Sequence, residues 1–248
     1  MKVIEVENSH HMGDQFINFM FFTQIKDFIE KNNIFIKYYC WEQYHANLID
    51  FCPTPNITIL NFEQPYKKKY YELWQGGRTA KLVPQNMNHF AEDLLVYMFN
   101  LFLQDFNLDI KVHMWNYEQV KIKYWFANLS SIYKDIQVLI INSAPRSGQY
   151  KYNRIKWDKE IVMLSKQYKI ATTEFVSNDI LCLNKFTLKD ITAISTNVDY
   201  IIGINTGPLL PLFNTYTLER VKKIYIFGGI FKHEKVVCNP SNLISCIR

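Results

Sequence analysis

The residues able to do chemistry gather in three short stretches: His10-His11-Met12-Gly13-Asp14, Asn142 to Gln149 and Asn205-Thr206-Gly207-Pro208-Leu209. The first packs two imidazoles, a glycine and a carboxylate into five positions. Asp14 precedes a long apolar helical pattern, where it is either a helix N-cap worth ~1 kcal/mol or a general base. A carboxylate at a helix N-terminus tends to stay ionised, which suits that second role. In the second stretch Ser143, Arg146, Ser147 and Gly148 make a small cationic loop suited to phosphate, Arg146 being capable of a bidentate contact. The plain alternative there is a solvated loop arginine. In the third, a strand end, small residues and a helix start would aim unpaired amides at one point, an anion site. Pro208 suits the first helical position, and Pro208 and Pro211 remove two donors. The amides of Thr206, Gly207, Leu209 and Leu210 and the Thr206 hydroxyl remain, unless the stretch is only a tight turn.

Several other chemistries are excluded by what the chain lacks. A single glycine near Asp14 does not make a G-x-G-x-x-G fingerprint, and no acid ends the second strand, which argues against nicotinamide or flavin binding. There is no P-loop signature, no G-x-S-x-G elbow, and no histidine spacing of a zinc site. Five cysteines, at 40, 52, 182, 238 and 246, are an odd set without a C-x-x-C pair. That composition argues against a disulfide framework or zinc ribbon and fits a reducing compartment. A formal charge of +5 favours an anionic partner such as a nucleotide or phosphate, without the clustering of a nucleic-acid binder. The run Lys67-Lys68-Lys69 reads as a solvated loop. With neither a secretory leader pattern nor an apolar membrane span, a cytoplasmic setting is expected, one that allows peripheral membrane contact. The 18 Phe, 16 Tyr and 5 Trp, among many Ile, Asn and Lys, reflect an A/T-rich coding bias more than function.

The elements that must position these stretches come in two series. Lys2 to Glu7 reads as a strand. Apolar residues at three- and four-residue intervals from Phe16 to Ile29 predict a helix over 15–32, ended by Asn32-Asn33. Strands at 34–40 and 57–62 with a short helix at 42–51 complete a β-α-β-α-β order, which argues for a parallel sheet. Gly76-Gly77 predicts a turn, and helices follow over about 88–106 and 118–133. The alternation then restarts with the near-continuous apolar run Val138 to Asn142, typical of a buried parallel strand. A helix at 157–167, a strand at 169–176, a helix at 188–195, a strand at 200–204, a short helix after Pro208 and a strand at 223–227 follow. The expected architecture is α/β, two Rossmann-like parallel-sheet domains facing across a cleft, residues 1–117 and 118–248. The three stretches fall at strand ends, where open α/β sheets bind ligands.

In this order, the strand followed by His11-Met12-Gly13-Asp14 and the strand followed by Asn205-Thr206-Gly207 resemble the GT-B glycosyltransferases, specifically the heptosyltransferase-type families that use ADP-heptose-like donors. The loop 143–148 and the segment Phe186 to Ser195 match that pattern in place. Asn205 departs from it, standing where an acid is usual, and Ile230 to Arg248 stands where a C-terminal helix normally crosses back. The resemblance implies metal-independent, inverting transfer of a sugar from a nucleotide-diphosphate sugar to a glycan or lipid-linked glycan acceptor, with no cofactor and no nucleic acid. Asp14 would be the catalytic base, with His11, nearer the Gly-Asp turn than His10, beside it. Gly13, Ser143, Arg146, Ser147, Thr206, Gly207, Pro208 and Leu209 would hold the donor phosphates, and Thr172, Thr173 and Leu183 would line a nucleobase slot. Two other classes are compatible with the same residues: a non-catalytic nucleotide-sugar or glycan-binding protein, and a GT-B-like nucleotide-sugar epimerase.

Overall fold

The computed structural model describes residues 1–73, 91–116, 131–145, 150–229, 231 and 233–247. Arg146, Ser147, Gly148 and Gln149, the Gly76-Gly77 turn and most of the helix expected over 118–133 lie outside the described residues. The chain divides into two compact units, residues 1–122 and 123–248.

In the first unit, β1 (Lys2–Glu7), β2 (Ile34–Cys40), β3 (Ile57–Asn61) and β4 (Tyr71–Glu72) form a four-stranded sheet in the order β3-β2-β1-β4, every described pairing parallel. β1 is therefore the strand from which the connections run in opposite directions, the switch point where such sheets open a crevice at their C-terminal edge. The helices are α1 (Met12–Gln24), α2 (Lys26–Lys31), α3 (Glu42–Ile49) and α4 (Ala91–Asp105). The single helix expected over 15–32 is thus two. The Thr23 hydroxyl donates to the Phe19 carbonyl at 2.8 Å, an i−4 bond that bends helices, just before the break at Ile25. Asn33 then takes a left-handed φ of 50°, which asparagine tolerates, and turns the chain into β2. Alternation decides how α1 covers the sheet: Phe19 and Phe22 meet Tyr38 edge-on at 5.1 and 6.0 Å, on the face that also carries Ile4, Val6, Ile34 and Ile36. Phe21 on the flank of α1 stacks on Phe99 of α4 at 4.1 Å, which joins the two helices.

In the second unit, β5 (Val138–Ile141), β6 (Ile170–Thr172), β7 (Leu181–Cys182), β8 (Tyr200–Ile204), β9 (Lys223–Phe227) and β10 (Val236–Cys238) form a parallel sheet in the order β10-β9-β8-β5-β6-β7. Its switch point lies between β5 and β8. The helices are α5 (Ser131–Lys134), α6 (Arg154–Leu164), α7 (Leu188–Ser195) and α8 (Thr215–Arg220), with 3-10 turns at Gly207–Leu212 and Ile244–Cys246. Thr187 and Asp190 form a reciprocal capping box on α7. Trp157, Ile161 and Leu164 of α6 cover one face of the sheet together with Leu243 and Cys246. The segment 239–247 therefore closes over this unit's own core. It is held there by the Leu243 amide donating to buried Glu160 at 2.8 Å and by the Tyr168 hydroxyl donating to the Ile247 carbonyl at 3.2 Å. No disulfide joins any of the five cysteines.

Candidate functional site

The C-terminal edge of the first sheet is built on a buried polar network. Asn8, immediately after β1, is fully buried, and its side-chain carbonyl accepts from the His10 amide at 2.9 Å. Gln15, also fully buried, donates to the carbonyls of Asn8 at 3.0 Å and His10 at 3.1 Å. Gln15 in turn accepts from the Tyr38 hydroxyl, which accepts from Asn18 at 3.0 Å. Asn8 and Gln15 thus fix the backbone of Asn8 and His10 from below, with Tyr38 and Asn18 holding Gln15 in place. Two atoms of this network, Asn8 Nδ2 and Asn18 Oδ1, are buried without a hydrogen-bond partner among the described residues, and such a group costs ~1–3 kcal/mol.

Above this base the helix starts earlier than the apolar pattern suggests. His11 is the N-cap residue, and Asp14 is the third helical residue instead of the cap, with Gly13 in the same turn. The Asp14 carboxylate accepts from the His11 amide at 3.0 Å, so it satisfies an orphan donor from inside the helix. Its electrostatics also differ from expectation. Burial pushes the Asp14 carboxyl above its ordinary range, against the pull of the His10 charge, the His11 amide and the His11 ring. A helix N-terminus was expected to keep this carboxylate ionised; desolvation wins instead, and a base with raised proton affinity results. His10 and His11 are both exposed. His10 Nε2 lies 3.4 Å from Glu72 on β4, whose other oxygen pairs with Lys68 at 2.7 Å. Behind them the fully buried Glu7 accepts from the Tyr66 hydroxyl at 3.0 Å and from the amides of Lys69 and Tyr70 at 3.2 and 3.1 Å. Trp41 donates to the Ser9 carbonyl at 2.8 Å.

At the corresponding edge of the second sheet, Asn142 and Thr173 tie the ends of β5 and β6. The Asn142 carbonyl oxygen accepts from the Glu174 amide at 2.8 Å and the Thr173 hydroxyl at 3.2 Å, and the Asn142 amide donates to Thr173 at 3.1 Å. Ser143 follows, half-buried, its hydroxyl 3.3 Å from that of Thr173. Across the switch point, Asn205 donates from its side chain to the Gly228 carbonyl at 3.2 Å, so it binds β8 to β9 and presents no acid to a ligand. The segment after it is a 3-10 turn with Thr206 as its N-cap. This changes the donor set expected from the sequence. The Leu209 amide donates to the Thr206 carbonyl at 3.0 Å and the Thr206 hydroxyl to the Ile204 carbonyl at 3.1 Å, so neither is free for an anion. The amides of Thr206 and Gly207 donate to no partner among the described residues. Leu209 is itself buried over Gly203: a methyl group on Gly203 would lie 2.8 Å from Leu209 Cδ1 and 3.2 Å from Ile141 Cβ. Gly203 is thus the close-approach residue that lets the turn sit on the sheet. Pro208 lies half-buried within the turn.

The residues expected around a nucleobase are placed otherwise. Thr172 and Thr173 are buried and donate their hydroxyl protons to Glu174 and Asn142, and Leu183 is 1% exposed with its amide on the Thr172 carbonyl. They act at this edge as packing and strand ties. The residues that sequence reasoning missed are Asn8, Gln15, Tyr38, Glu7 and Glu72. Glu7 and Asn8 could have been noticed as polar residues ending an otherwise apolar strand. Glu72 sits in a two-residue strand, too short for any periodic signal. Among the described residues there is no group of three or more His, Cys, Asp or Glu placed to hold a metal ion, and no helix long and apolar enough to cross a membrane.

Two parallel α/β units, each with chemistry-bearing residues at a switch point, make the fold that of the GT-B glycosyltransferases, and its likeness is to the heptosyltransferases among them. The particular structures it resembles share little sequence with it. E. coli heptosyltransferase WaaC, solved with ADP-2-deoxy-2-fluoro heptose, is 12% identical over 96% of this chain and 92% of its own, with a TM-score of 0.57. The dodecameric iron-containing heptosyltransferase TibC, in complex with ADP-D-β-D-heptose, is 12% identical over 100% of this chain and 66% of its own, with a TM-score of 0.58. A glycosyl transferase family 9 protein from Veillonella parvula is 10% identical over 96% of this chain and 85% of its own, with a TM-score of 0.54. No protein-family model matches the chain, and no curated protein does.

Proposed function

We propose that this chain is a glycosyltransferase that moves a sugar from a nucleotide-diphosphate sugar to an acceptor hydroxyl, with inversion and without an essential metal. The observation that most supports this reading is Asp14, a half-buried carboxylate of raised proton affinity at the switch-point edge of the first sheet. In the reaction, Asp14 takes the proton of the acceptor hydroxyl. The acceptor oxygen bonds to the anomeric carbon while the bond from that carbon to the donor diphosphate breaks, and the nucleoside diphosphate leaves. Charge grows on the departing phosphate. The amides of Thr206 and Gly207, with the Ser143 hydroxyl and with Arg146 and Ser147 of the same sequence loop, are assigned to stabilise it. A donor of the ADP-heptose class is the first to try, since WaaC and TibC are described with such molecules. A glycan or lipid-linked glycan acceptor in a cytoplasmic setting completes the reading.

The test is a panel of ADP-, UDP-, GDP- and dTDP-sugars read by thermal shift and by product analysis. One donor class should raise Tm by mass action, and Asp14→Asn should lower transfer by about 10²–10⁴-fold while donor affinity stays near wild type. Silence across the whole panel would overturn the proposal. Tight donor binding with neither transfer nor donor hydrolysis would instead make the chain a binding protein, and a changed sugar with donor alone would make it an epimerase. Because TibC is iron-containing, the same assay is run after chelation. Unchanged turnover is expected, and loss restored by a metal would remove metal independence from the proposal.

A further inference from the structure

Four of the eleven large apolar side chains exposed among the described residues lie on α6 or against its first turn: Ile155 at 72%, Met163 at 53%, Phe175 at 49% and Val162 at 39%. Scattered singly, such residues need no account; here they are gathered. Trp157, Ile161 and Leu164 turn one side of α6 to the core. The helical period therefore points Ile155, Lys159 and Val162 away from it, and exposed Lys166 follows in the turn beyond. Phe175 joins this surface at the start of the helix, where Arg154 Nη2 donates to its carbonyl at 3.1 Å. At the other end Met163 lines a shallow cleft with Tyr168, Ile244 and Ile247. The two acids of the helix are drawn off the outward face. Glu160 is buried and accepts the Leu243 amide at 2.8 Å, and Asp158 lies 3.5 Å from Arg154. One exposed acid, Glu174, stands at the end next to Phe175. The outward face of α6 itself is aliphatic and basic.

We propose that this face of α6 docks on an anionic lipid surface: Ile155 and Val162, with Phe175 beside them, enter the headgroup layer while Lys159 and Lys166 meet its phosphates. An apolar strip set among basic residues binds in that plane, because burial of the strip and attraction to anionic lipid add together. A protein partner fits this face less well. Lysine is depleted from protein interfaces, and a second copy docked two-fold on the same patch would bring lysine against lysine. Arg154 and Phe175 meet just past the C-terminal end of β6, so docking sets lipid beside the ligand edge of the second sheet. The inference does not rest on the glycosyltransferase reading; where both hold, a lipid-linked acceptor is brought to that edge.

The test is co-sedimentation of the full chain with vesicles of phosphatidylcholine mixed with phosphatidylglycerol, against vesicles of phosphatidylcholine alone. Binding should appear with the mixed vesicles, weaken as salt is raised, and be about tenfold weaker or more with the neutral ones. Lys159→Gln combined with Lys166→Gln should lower binding by about 25-fold, since each basic residue near such a surface contributes about fivefold. Ile155→Ser combined with Val162→Ser should lower it by about tenfold or more. All four positions are exposed, so both variants should keep the wild-type Tm. Lys31→Gln combined with Lys111→Gln removes the same charge from exposed positions of the first unit and should bind like wild type. No binding by wild type, binding that either α6 variant retains, or an equal loss in the first-unit variant overturns the inference. A wild-type dimer in sedimentation velocity that the α6 variants dissolve, without vesicle binding, makes the face a contact between copies and overturns it too. Vesicle binding in a chain that transfers no sugar from any donor overturns the enzyme reading alone.

Discussion

The two sheets are built from the same parallel topology, yet their strands are written in different codes. β2 reads IFIKYYC, with Ile34, Ile36, Tyr38 and Cys40 buried and Phe35 and Lys37 exposed. β5 reads VLII and is buried throughout, and β8 is buried from Ile201 to Ile204. The difference follows from what covers each sheet. In the second unit both faces are packed, one by Trp157 and the 239–247 segment, the other by Leu209 seated on Gly203. In the first, one face meets α1, while the other shows Val3 at 47% and Phe35 at 37% exposure, a Glu5–Lys37 ion pair at 2.9 Å and the Tyr39–Tyr70 stack at 4.0 Å. Crossover helices normally cover both faces of a parallel sheet, and among the described residues this second face keeps Val3 and Phe35 exposed. The lesson is that the polar apparatus is differently arranged: the first unit links Asn8, Gln15, Tyr38 and Asn18 beneath one strand end and carries the carboxylate of raised proton affinity, whereas the second uses its buried polar groups to tie strand and helix ends, as at Asn142–Thr173 and Asn214–Thr217–Ser195.

This contrast can be broken or sharpened by substitution, read as changes in unfolding free energy. The largest effect should come from Trp157→Ala, which removes a side chain 1% exposed in the doubly covered unit and should cost about 3–5 kcal/mol. Gly203→Ala should follow at about 1–3 kcal/mol, because its methyl group would press on Leu209 and Ile141. If the 3-10 turn shifts to relieve that contact, donor binding should weaken more than the stability loss accounts for. Asp14→Asn should act in the opposite sense. A carboxyl whose proton affinity is raised by folding contributes stability that is complete below its unfolded value and is lost as pH rises through the folded one. The neutral variant should therefore melt above wild type near pH 7, with the gain vanishing below about pH 4. A gain that persists in acid would mean that the buried state of Asp14 is not its cause. Phe35→Thr, at a position 37% exposed among the described residues, should stay within about 0.5 kcal/mol of wild type. A loss of several kcal/mol there would show that this face is covered after all.

Burial also separates the thiols. Cys40 and Cys246 are buried, and burial pushes each up to about 12, helped at Cys246 by the charge of Glu160. Alkylation at neutral pH should leave both unmodified in the folded chain, and modification of Cys40 before unfolding would show that the sheet opens locally.

Legibility from the sequence followed the length of each signal. The strands at 2–7, 34–40, 200–204 and 223–227 and the helix at 188–195 are where the pattern placed them, because each combines a clear apolar run with a turn or a cap at its ends. β4, β7 and β10 were not foreseen: two or three residues cannot show a period, and such strands exist only because a neighbour offers them an edge. The site divided in the same way. Placing Asp14, Ser143 and Thr206 at strand ends needed only the alternation of strands and helices. Learning that Leu209 packs on Gly203, that the Thr206 hydroxyl is turned inward, or that Glu72 meets His10 across 62 positions of chain needed the packed structure.

What the sequence by itself determined is therefore the local grammar: two parallel α/β series, a Gly-Asp helix start after β1 and a Thr-Gly turn after β8. Local signals suffice there because backbone hydrogen bonding and side-chain alternation act over a few residues. Tertiary structure alone decided which groups are desolvated and which donors are free. Burial raised Asp14 where a helix terminus was expected to hold it down, and side chains from β1, α1 and β2 converged to fix the loop that carries His10. Desolvation and partner geometry depend on neighbours far away in sequence, and no short window contains them.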